Sequence, residues 1–534
     1  MIRVRQVIVD VTRDTREELI RKTARKVNIP VTEIKQLTVN KQSLDARKKP
    51  QLFYIYEVDI TVAHEEQILR QHRNDVIPTP SMRYQFPTVS HQTFEHSIII
   101  VGAGPAGLFS AYLLAEHGYP VMVIERGEPI EKRVQTVSQF WETGILNPES
   151  NVQFGEGGAG TFSDGKLNTL SKDPASRMRK VFEVLVACGA PKEILYSNKP
   201  HIGTDLLRDV VVKLRKKIIA MGGTFRYNTC LTDLIIKEDQ LTAIEVNHQE
   251  IIATNHLVLA IGHSARDTFA MLHRHQITMH AKPFAVGVRV MHKQAMINES
   301  QYGVQKHPTL PPANYKLTYQ TTSGRAVYSF CMCPGGMVVN ASSEKEHLVI
   351  NGMSNYHRDS PIANSAIVVS VNPADYGDDV MAGIAFQRTL EARSYQIGQG
   401  KIPVQLYRDF CCNQCSQAFG EIIPELKGDY QFANLRELLP PVICDAIQEG
   451  MTAFDRRIKG FGAGDTVLAA VESRTSSPIR IDRDQQFCAS IKGIYPSGEG
   501  AGYAGGITTS AMDGIRVAEA IALGHDPRKK TSSL

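Results

Sequence analysis

The sequence predicts a multidomain α/β protein, in which a Rossmann-like domain is interrupted by a β-rich insertion and preceded by a small α+β module. Residues 97–127, SIIIVGAGPAGLFSAYLLAEHGYPVMVIERG, have the pattern of strand, glycine turn, helix and strand, which is typical of a βαβ unit. Residues 275–465 are richer in alternating strands and turns, and the tail TTSAMDGIRVAEAIALG returns to a helical pattern. The first 64 residues have a strand, helix and strand pattern of their own.

The length of the chain accommodates this division. A chain of 534 residues, 42% of them hydrophobic, is globular and long enough for about two to four domains. We expect an N-terminal module with its linker at 1–90, a first part of the Rossmann-like domain at 95–272, an inserted domain at 273–465, and the last part of the Rossmann-like domain at 466–534.

Composition bounds the class of protein. The formal net charge of +5 is a small excess, which by itself predicts neither a nucleic-acid nor a membrane partner. The segment MIRVRQVIVDVTRDTREE lacks the apolar core and cleavage site of a signal peptide, and no uncharged apolar run approaches the ~18 residues of a membrane helix. Nine cysteines, an odd number spread thinly, do not resemble a secreted disulfide framework. We therefore expect a cytoplasmic protein.

The N-terminal module is expected to be ferredoxin-like. VRQVIVDVT has a strand pattern, and TREELIRKTARKVNI has an amphipathic helical pattern with Thr15 as its N-cap and Pro30 as its stop. A second helix-like piece, the loop VNKQSLDARKKP and the alternating strand LFYIYEVDITVA follow. Residues 72–94 contain several prolines and are predicted to be a linker into the next domain.

A dinucleotide fingerprint opens the second domain. Gly102, Gly104 and Gly107 form G-x-G-x-x-G, enclosing Pro105 and Ala106, directly after an apolar strand and at the start of a helix. The first glycine permits the turn, the second lets a pyrophosphate approach the backbone, and the third lets helix and strand pack closely. The helix N-terminus adds unpaired N–H groups and partial positive charge for the phosphates. Glu125, followed by Arg126, ends the second strand, where a carboxylate can accept from ribose hydroxyls.

Two returning segments favour a flavin dinucleotide over NAD alone. HLVLAIGHSARDTF leads an apolar strand into Gly262, and GIYPSGEGAGYAGGITTSAMDG offers a strand, Gly498 and Glu499, a glycine turn through Gly506, and a helix starting near Ile507. A carboxylate before such a helix can hold the ribityl hydroxyls. The helix N-terminus can then stabilise negative charge on the reduced flavin.

The motifs together resemble a known family. VGAGPAGLFSAYLLAEHGY, FGEGGAGTFSDGKLNTL, AIGHSARDTF, PFAVGVRV, YSFCMCPGG, AAVESRTSSPIRI and PSGEGAGYAGGITTSAMDG span the chain in order. They are similar to the FAD-dependent dehydrogenase family, which joins an N-terminal α+β domain to a glutathione-reductase-type FAD domain, and more distantly to aminoacetone-oxidase-like flavoproteins. The resemblance implies the fold and FAD as cofactor but no agreed substrate. One departure is Met291, which stands beside a histidine where the family tends to carry an acid.

The resemblance also gives a role to the glycine-rich stretch EGGAGTFSDGKLN at 156–168. In such proteins a segment at this distance from the first βαβ unit wraps the FAD pyrophosphate and flavin face. Glycines there permit close backbone approach, the hydroxyls offer hydrogen bonds, and the lysine can pair with phosphate or with the flavin N1–C2=O region. The residues concerned are Gly157, Gly158, Gly160, Thr161, Ser163 and Lys166.

Candidate catalytic residues are assigned to the substrate side. Arg289, Arg474 and His292 lie in the predicted substrate region, and an arginine can pair bidentately with a substrate carboxylate. After the returning strand, Ser264 and Asp267 are open to two interpretations, helix capping or a functional role. Asp513 in the last helix is interpreted as a surface residue.

The cysteines are interpreted as structural. Cys331 and Cys333 are expected to be buried small residues facing one side of a strand, with redox activity over the flavin as the alternative. Cys411, Cys412 and Cys415 include one C-x-x-C, but no second such pair completes a zinc site. No metal is predicted.

The sequence therefore predicts an FAD-dependent oxidoreductase that moves a hydride between a small organic substrate and flavin N5, with NAD(P)H as a transient visitor only. One alternative is a flavin-dependent RNA-modifying or RNA-binding protein. Another is a flavin-binding protein of assembly or sensing that does not turn over. The RNA alternative would use a basic patch in the N-terminal module formed by Lys41, Arg47, Lys48 and Lys49.

Overall fold

The computed structural model describes residues 1–71, 74–81, 83–87, 94–169 and 171–524. The predicted linker at 72–94 therefore lies partly outside the described residues, as does the last part of the tail. None of the helices in the described part of the chain has the length and apolar character needed to cross a membrane.

The N-terminal module has the predicted ferredoxin-like fold, with the element order of strand, helix, two strands, helix and strand. Its antiparallel sheet has the order β2-β3-β1-β4. The predicted cap of the first helix is confirmed, because Thr15 Oγ1 accepts from Glu18 N at 3.2 Å. The elements are β1 Ile2–Asp10, α1 Arg16–Lys26, β2 Gln36–Lys48, β3 Gln51–Thr61, α2 Glu65–Gln71 and β4 Val76–Pro78.

The helix-like piece and loop predicted between α1 and β3 are wrong, because this stretch forms the long strand β2. It pairs with β3 from Gln36 opposite Thr61 to Lys48 opposite Gln51. Few β2 side chains are buried, so the strand lacks the strict apolar alternation that marks a strand in sequence. The strand is stabilised by its pairing with β3 and not by an apolar face of its own.

The Rossmann-like domain follows. After the glycine-rich stretch the sequence pattern predicts helices at 175–188 and around 204–221, and the structure has them at Arg177–Ala187 and Thr204–Ala220. Its antiparallel strands β8, β9 and β10 form a separate meander. The elements are β5 Ile98–Val101, α3 Pro105–Glu116, β6 Val121–Ile124, α4 Ile130–Thr143, α5 Arg177–Ala187, α6 Thr204–Ala220, β7 Thr224–Arg226, β8 Leu231–Lys237, β9 Gln240–Val246, β10 Glu250–Ala253, β11 Leu257–Leu259 and α7 Arg266–Arg274.

The insertion is built on a sheet with the order β14-β15-β18-β13-β22-β19-β21. It also contains two long helices of 16 and 15 residues, α10 and α12. Its elements are β12 Met279–Ala281, β13 Phe284–Lys293, α8 Gln294–Tyr302, β14 Thr318–Gln320, β15 Ala326–Cys333, β16 Met337–Asn340, β17 Ile350–Met353, β18 Ile362–Val371, α9 Pro373–Tyr376, α10 Ala382–Ile397, β19 Ile402–Leu406, α11 Tyr407–Cys411, β20 Leu426–Lys427, β21 Tyr430–Phe432, α12 Pro441–Asp455 and β22 Val467–Glu472. Strand β22 lies beyond the predicted boundary at 465 but pairs with β13 and β19 in this sheet.

The chain then returns to the Rossmann-like domain through β23 Ile479–Ile481, β24 Ile494–Pro496 and α13 Ile507–Gly524. Parallel strands pair in the order β24-β11-β5-β6-β7. The strands IIIV of β5 and LVL of β11 are buried throughout, as expected for a parallel sheet covered on both faces. Ligands of such sheets bind outside the carboxyl ends of the strands.

Candidate functional site

A cavity of about 810 Å³ lies at the carboxyl ends of β5, β6 and β11, between the Rossmann-like domain and the insertion. Most of the residues predicted to bind the cofactor line it, together with one of the three predicted catalytic residues. Those lining it are Gly102, Gly104, Pro105, Ala106, Glu125, Arg126, Gly158, Gly160, Ser163, Lys166, Gly262, Glu499, Gly506, Ile507 and Arg474.

The fingerprint glycines have distinct steric reasons. Gly102 has a φ of +100°, and a Cβ there would collide with the Ala260 carbonyl oxygen. A Cβ on Gly107 would collide with the Gly102 carbonyl oxygen, so Gly107 packs the helix on the turn and does not line the cavity. Gly104 is the N-cap of α3 and Pro105 its first residue. The free amides and positive end of α3 therefore adjoin the cavity.

The glycine-rich loop at 156–168 packs directly against the G-x-G-x-x-G turn. Gly157 N donates to the Ala103 carbonyl at 2.8 Å. Gly158 has a φ of +65°, and a Cβ there would lie 3.1 Å from the Gly104 Cα. Only glycine fits both the backbone conformation and the contact at Gly158. Two loops of main-chain amides therefore form one wall of the cavity.

Gly157 and Thr161 lie behind this wall and do not line the cavity, unlike the sequence prediction. A Cβ on Gly157 would collide with Thr161 Oγ1, and Thr161 is fully buried. Its carbonyl accepts from Thr204 Oγ1 at 2.6 Å. Ser163 Oγ donates to the Gly160 carbonyl at 2.7 Å and so stabilises the turn from the cavity side. These residues shape the loop from within.

Arg133, which the sequence analysis did not select, holds this loop in place. It is fully buried in α4 on the same stripe as the apolar Ile130, Val137 and Phe140. An arginine in line with the apolar residues of an amphipathic helix is the sequence feature that could have indicated this buried role. Burial lowers the pKa of Arg133 to about 10. Its guanidinium donates to the carbonyls of Asn151 (2.9 Å), Val152 (3.0 Å), Gly155 (3.1 Å), Glu156 (2.6 Å) and Gly158 (3.0 Å).

Glu125 ties neighbouring loops together at the cavity. Its carboxylate accepts from the backbone amides of Ala103 at 2.8 Å, Gly127 at 3.0 Å and Gly155 at 2.9 Å. Because two carboxylate oxygens offer about four acceptor sites, one remains for a ligand hydroxyl. Arg126 beside it is paired with Asp267 at 3.0 and 2.8 Å.

The start of α13 forms the opposite end of the cavity. Glu499 lies there, with its Oε2 accepting from Gly506 N at 3.4 Å and its Oε1 3.5 Å from His263 Nδ1. Burial raises the pKa of Glu499 to about 7. A Cβ built on Gly262, Gly505 or Gly506 would meet no atom within 4 Å, so these glycines leave open space beside the carboxyl group.

Asp513 is buried, and its interpretation as a surface residue is wrong. It is 1% exposed, it is paired with Arg483 at 2.7 and 2.9 Å, and its Oδ2 accepts from Gly498 N at 2.8 Å. A Cβ on Gly498 would lie 2.7 Å from that of Ala106. Gly498 therefore packs the turn on α3 and does not line the cavity. The interpretation failed because a single polar residue on a helix does not reveal a partner on another segment.

Arg474 reaches the cavity from within a buried charge cluster. Its guanidinium donates to Glu391 at 2.9 and 2.7 Å, to Ser264 Oγ at 3.0 Å and to Ser343 Oγ at 2.7 Å. Arg266 pairs with Glu391 from the other side at 2.8 and 2.9 Å. Burial alone would raise the pKa of Glu391, but the two guanidiniums outweigh it and hold that pKa well below its usual range.

Ser264 and Asp267 are not helix caps. The N-cap of α7 is Ala265, with no side-chain hydrogen bond. Ser264 Oγ donates to Gln153 Oε1 at 3.1 Å and accepts from Arg474, and Asp267 pairs with Arg126. Both side chains thus support residues that line the cavity.

Arg289 and His292, which were predicted to be catalytic, do not line the cavity. Arg289 is fully buried and donates to Glu472 at 2.9 Å, to Asn364 at 2.7 Å and to the Cys331 carbonyl at 3.1 Å. His292 Nε2 donates to the Phe461 carbonyl at 2.8 Å, and burial lowers the pKa of His292 to about 4. Both residues lie in β13. Strand alternation alone could not show whether either side chain faces the cavity or the interior behind it.

Comparisons with known proteins agree with this site. Residues 283–475 match the model of the FAD-dependent protein, C-terminal domain-like family, and residues 100–138 match an NAD(P)-binding Rossmann-like domain. Residues 1–61 match a domain of unknown function. A Clostridium beijerinckii protein, described as uncharacterized, is 45% identical over 510 residues, which are 94% of this chain and 95% of the relative. The chain belongs to this family of FAD-dependent proteins.

Solved structures resemble the FAD-dependent chain more distantly. E. coli quinol fumarate reductase FrdA, in a mutant form, is 12% identical with a TM-score of 0.37, covering 83% of this chain and 72% of its own. L-Proline dehydrogenase from P. horikoshii is 14% identical with a TM-score of 0.32, covering 81% of this chain and 95% of its own. The flavin-dependent brominase Bmp2 is 13% identical with a TM-score of 0.37, covering 81% of this chain and 80% of its own.

Proposed function

We propose that the protein is an oxidoreductase that transfers a hydride between a small organic substrate and N5 of its FAD. The supporting observation is the composition of the cavity wall. Glycine loops and helix N-termini of the Rossmann-like domain form one side, and Arg474, Asn351 and Lys282 of the opposite side belong to the insertion and its return. A wall that combines backbone amides with a few convergent polar side chains is typical of a cofactor and substrate site.

In this proposal main-chain amides hold the phosphates of FAD. Gly104 and the first turn of α3 offer N–H groups and partial positive charge, and Glu125 has an acceptor site left for a ribose hydroxyl. The open space beside Gly262 and Gly506 accommodates the flavin end, near the start of α13. The positive end of that helix stabilises negative charge on the reduced cofactor.

The side chains near the flavin end have roles that follow from their partners. Arg474 is held rigidly by Glu391 and two serines, so its guanidinium is preorganised to orient an anionic group of a substrate. Glu499, whose pKa burial raises to about 7, can hold or release a proton at its carboxyl oxygens. FAD itself supplies the electron-pair acceptor. NAD(P)H is proposed as a transient donor at the same face.

Anaerobic stopped-flow spectroscopy tests this function. The holoprotein is mixed with NADH, NADPH and a panel of amino, hydroxy and carboxylic acids, and loss of the oxidised flavin absorbance is followed. We expect at least one donor to reduce the flavin. We expect Arg474→Lys to retain FAD but to raise the donor concentration for half-maximal reduction more than tenfold. The reason is that a lysine cannot reproduce the planar guanidinium group, which pairs with a carboxylate through two hydrogen bonds. Arg325→Lys, whose arginine pairs with Asp375 away from the cavity, is the matched control. A flavin that no donor reduces would contradict the proposal.

A further inference from the structure

The C-x-C segment at the end of β15 carries a backbone irregularity beside the cavity. Phe330 pairs with Ala366 and Cys333 with Asn364 on the neighbouring strand, so a bulge separates the two pairs. Cys331 within this bulge has a φ of +43°, in the left-handed region that non-glycine residues rarely adopt. Bulges beside a cavity commonly redirect a side chain, and such conformations cluster at functional sites.

The bulge gives the side chains of Cys331 and Cys333 an unusual arrangement. In a regular strand, residues two apart face the same side. Here Cys331 lines the cavity and is partly exposed, whereas Cys333 is fully buried behind it. The Cys333 thiol donates to the Cys331 carbonyl oxygen at 3.3 Å, so its sulfur lies against the backbone of Cys331. One thiol faces the cofactor site and the second supports it.

Two cationic side chains, Lys166 and Arg289, lie on the Cys331 side of the cavity, each beside a carboxylate, Asp164 and Glu472 respectively. The fully buried Arg289 donates to the Cys331 carbonyl at 3.1 Å. Lys166 lines the same cavity, and its Nζ has no hydrogen-bond partner, with Asp164 3.6 Å away. The hydrogen bond from Cys333, with the charges of Lys166 and Arg289, outweighs burial and lowers the pKa of Cys331. Reactive cysteines are found in such electropositive, partly exposed surroundings.

Cys230 also lines the cavity, but burial raises the pKa of its thiol to about 11, and two further cysteines do not line it. Cys188 and Cys444 are buried in apolar surroundings, where burial raises the pKa of the thiol, to about 11 for Cys444. They match the interpretation of a cysteine as a small buried residue. Cys331 does not, because it faces the cofactor cavity in a conformation that costs backbone free energy.

We propose that Cys331 and Cys333 form a redox-active dithiol that exchanges an electron pair with the bound flavin. In the oxidising direction the S–H bond of Cys333 breaks and an S–S bond forms between the two sulfurs. The Cys331 thiolate and Cys333 thiol release two electrons and one proton, which convert oxidised FAD to its anionic two-electron-reduced form. The reverse reaction reduces the disulfide. This half-reaction goes beyond hydride transfer with an organic substrate and does not depend on it, only on bound FAD.

Reductive titration of the holoprotein measures the exchange directly. The protein is oxidised with ferricyanide, desalted, and titrated anaerobically with dithionite while the flavin absorbance is followed. If the dithiol exchanges electrons with the flavin, the wild type takes up four electrons per FAD, two for each couple. Cys331→Ser and Cys333→Ser each take up only two. Cys444→Ser removes a buried thiol elsewhere and takes up four, as the wild type does.

Mass spectrometry of the wild type provides a second measurement that needs no variant to fold. Cleavage at arginine and lysine releases residues 326–345, whose cysteines are Cys331 and Cys333. After oxidation we expect both to resist alkylation and the peptide to be lighter by two hydrogens. After reduction we expect both to be alkylated. Uptake of two electrons by the wild type, or full alkylation of both cysteines after oxidation, would overturn the proposal and leave the proposed hydride transfer unaffected.

Discussion

Removal of the Arg133 guanidinium should release the glycine-rich loop and with it the FAD. Five backbone carbonyls between residues 151 and 158 accept from this one side chain. The carbonyls of Gly155 and Gly158 also accept from the backbone amides of Gly158 and Thr161, so Arg133→Met leaves three carbonyls, those of residues 151, 152 and 156, without a partner. A buried acceptor left without a partner costs about 1–3 kcal/mol, which gives a cost of about 3–9 kcal/mol for the loop. That cost is comparable with the whole stability of a domain, about 5–15 kcal/mol. The loop is therefore expected to open locally, at a lower cost than keeping the carbonyls buried and unpaired.

A graded pair of variants makes this prediction quantitative. Arg133→Lys keeps the charge but offers three donors from one nitrogen. It should lose about 2 kcal/mol in the free energy of unfolding and retain part of its FAD. Arg133→Met should be purified nearly free of FAD, as measured by the flavin absorbance per protein, and should be cleaved within 151–158 under limited proteolysis. Arg21→Met, an exposed arginine of α1 paired with Glu18, is the control.

One result would contradict this prediction. Arg133→Met with wild-type FAD content and a protease-resistant loop would show that the five hydrogen bonds do not organise the cofactor site. Loss of FAD in the control as well would show only that the assay follows general stability.

Three further predictions concern single residues. Gly158→Ala should weaken FAD binding at least tenfold by equilibrium dialysis, whereas Gly144→Ala, at a similar φ of +73° but with nothing within 4 Å of its Cβ, should retain FAD. In FAD-free protein, Glu499 keeps its proton up to about pH 7 while the unfolded chain releases it near 4.5. The free energy of unfolding therefore falls as pH rises across that window, by about 3 kcal/mol in all. Glu499→Gln should remove this fall, so that urea unfolding shows little difference from wild type near pH 4 and a stabilised variant near pH 8; equal effects at both pH values would contradict the burial argument. Asp513→Asn should lower the free energy of unfolding by about 3 kcal/mol, and the exposed Asp429→Asn by under about 1 kcal/mol, both measured by thermal unfolding.

Some elements of the N-terminal module and the Rossmann-like domain can be predicted from local sequence pattern, and others cannot. The cap at Thr15 and the helices at 177–187 and 204–220 follow from interactions within a few residues of chain, and the sequence shows these directly. Strand β2 was missed because its order comes from pairing with β3 and not from its own apolar alternation.

Local sequence pattern was sufficient to predict the fold class and the glycine turn after β5. Gly102, by its φ of +100°, and Gly107, by its contact with the Gly102 carbonyl oxygen, are constrained inside one strand, turn and helix, and a constraint of that range is written in consecutive residues. The resemblance to a known family further predicted that three separated glycine-rich segments contribute to one site, and residues of all three line the cavity.

The packing of distant elements determined which polar side chains face the cavity. Arg474 reaches Ser343 across 131 residues of chain, and Arg289 is directed behind the wall by partners on other strands. Cys331 was separated from Cys333 by a bulge that appears only when β15 pairs with β18. Burial and pairing at such separations depend on how whole elements pack, because a charged or thiol side chain has the same local pattern whether it faces a core or a cavity.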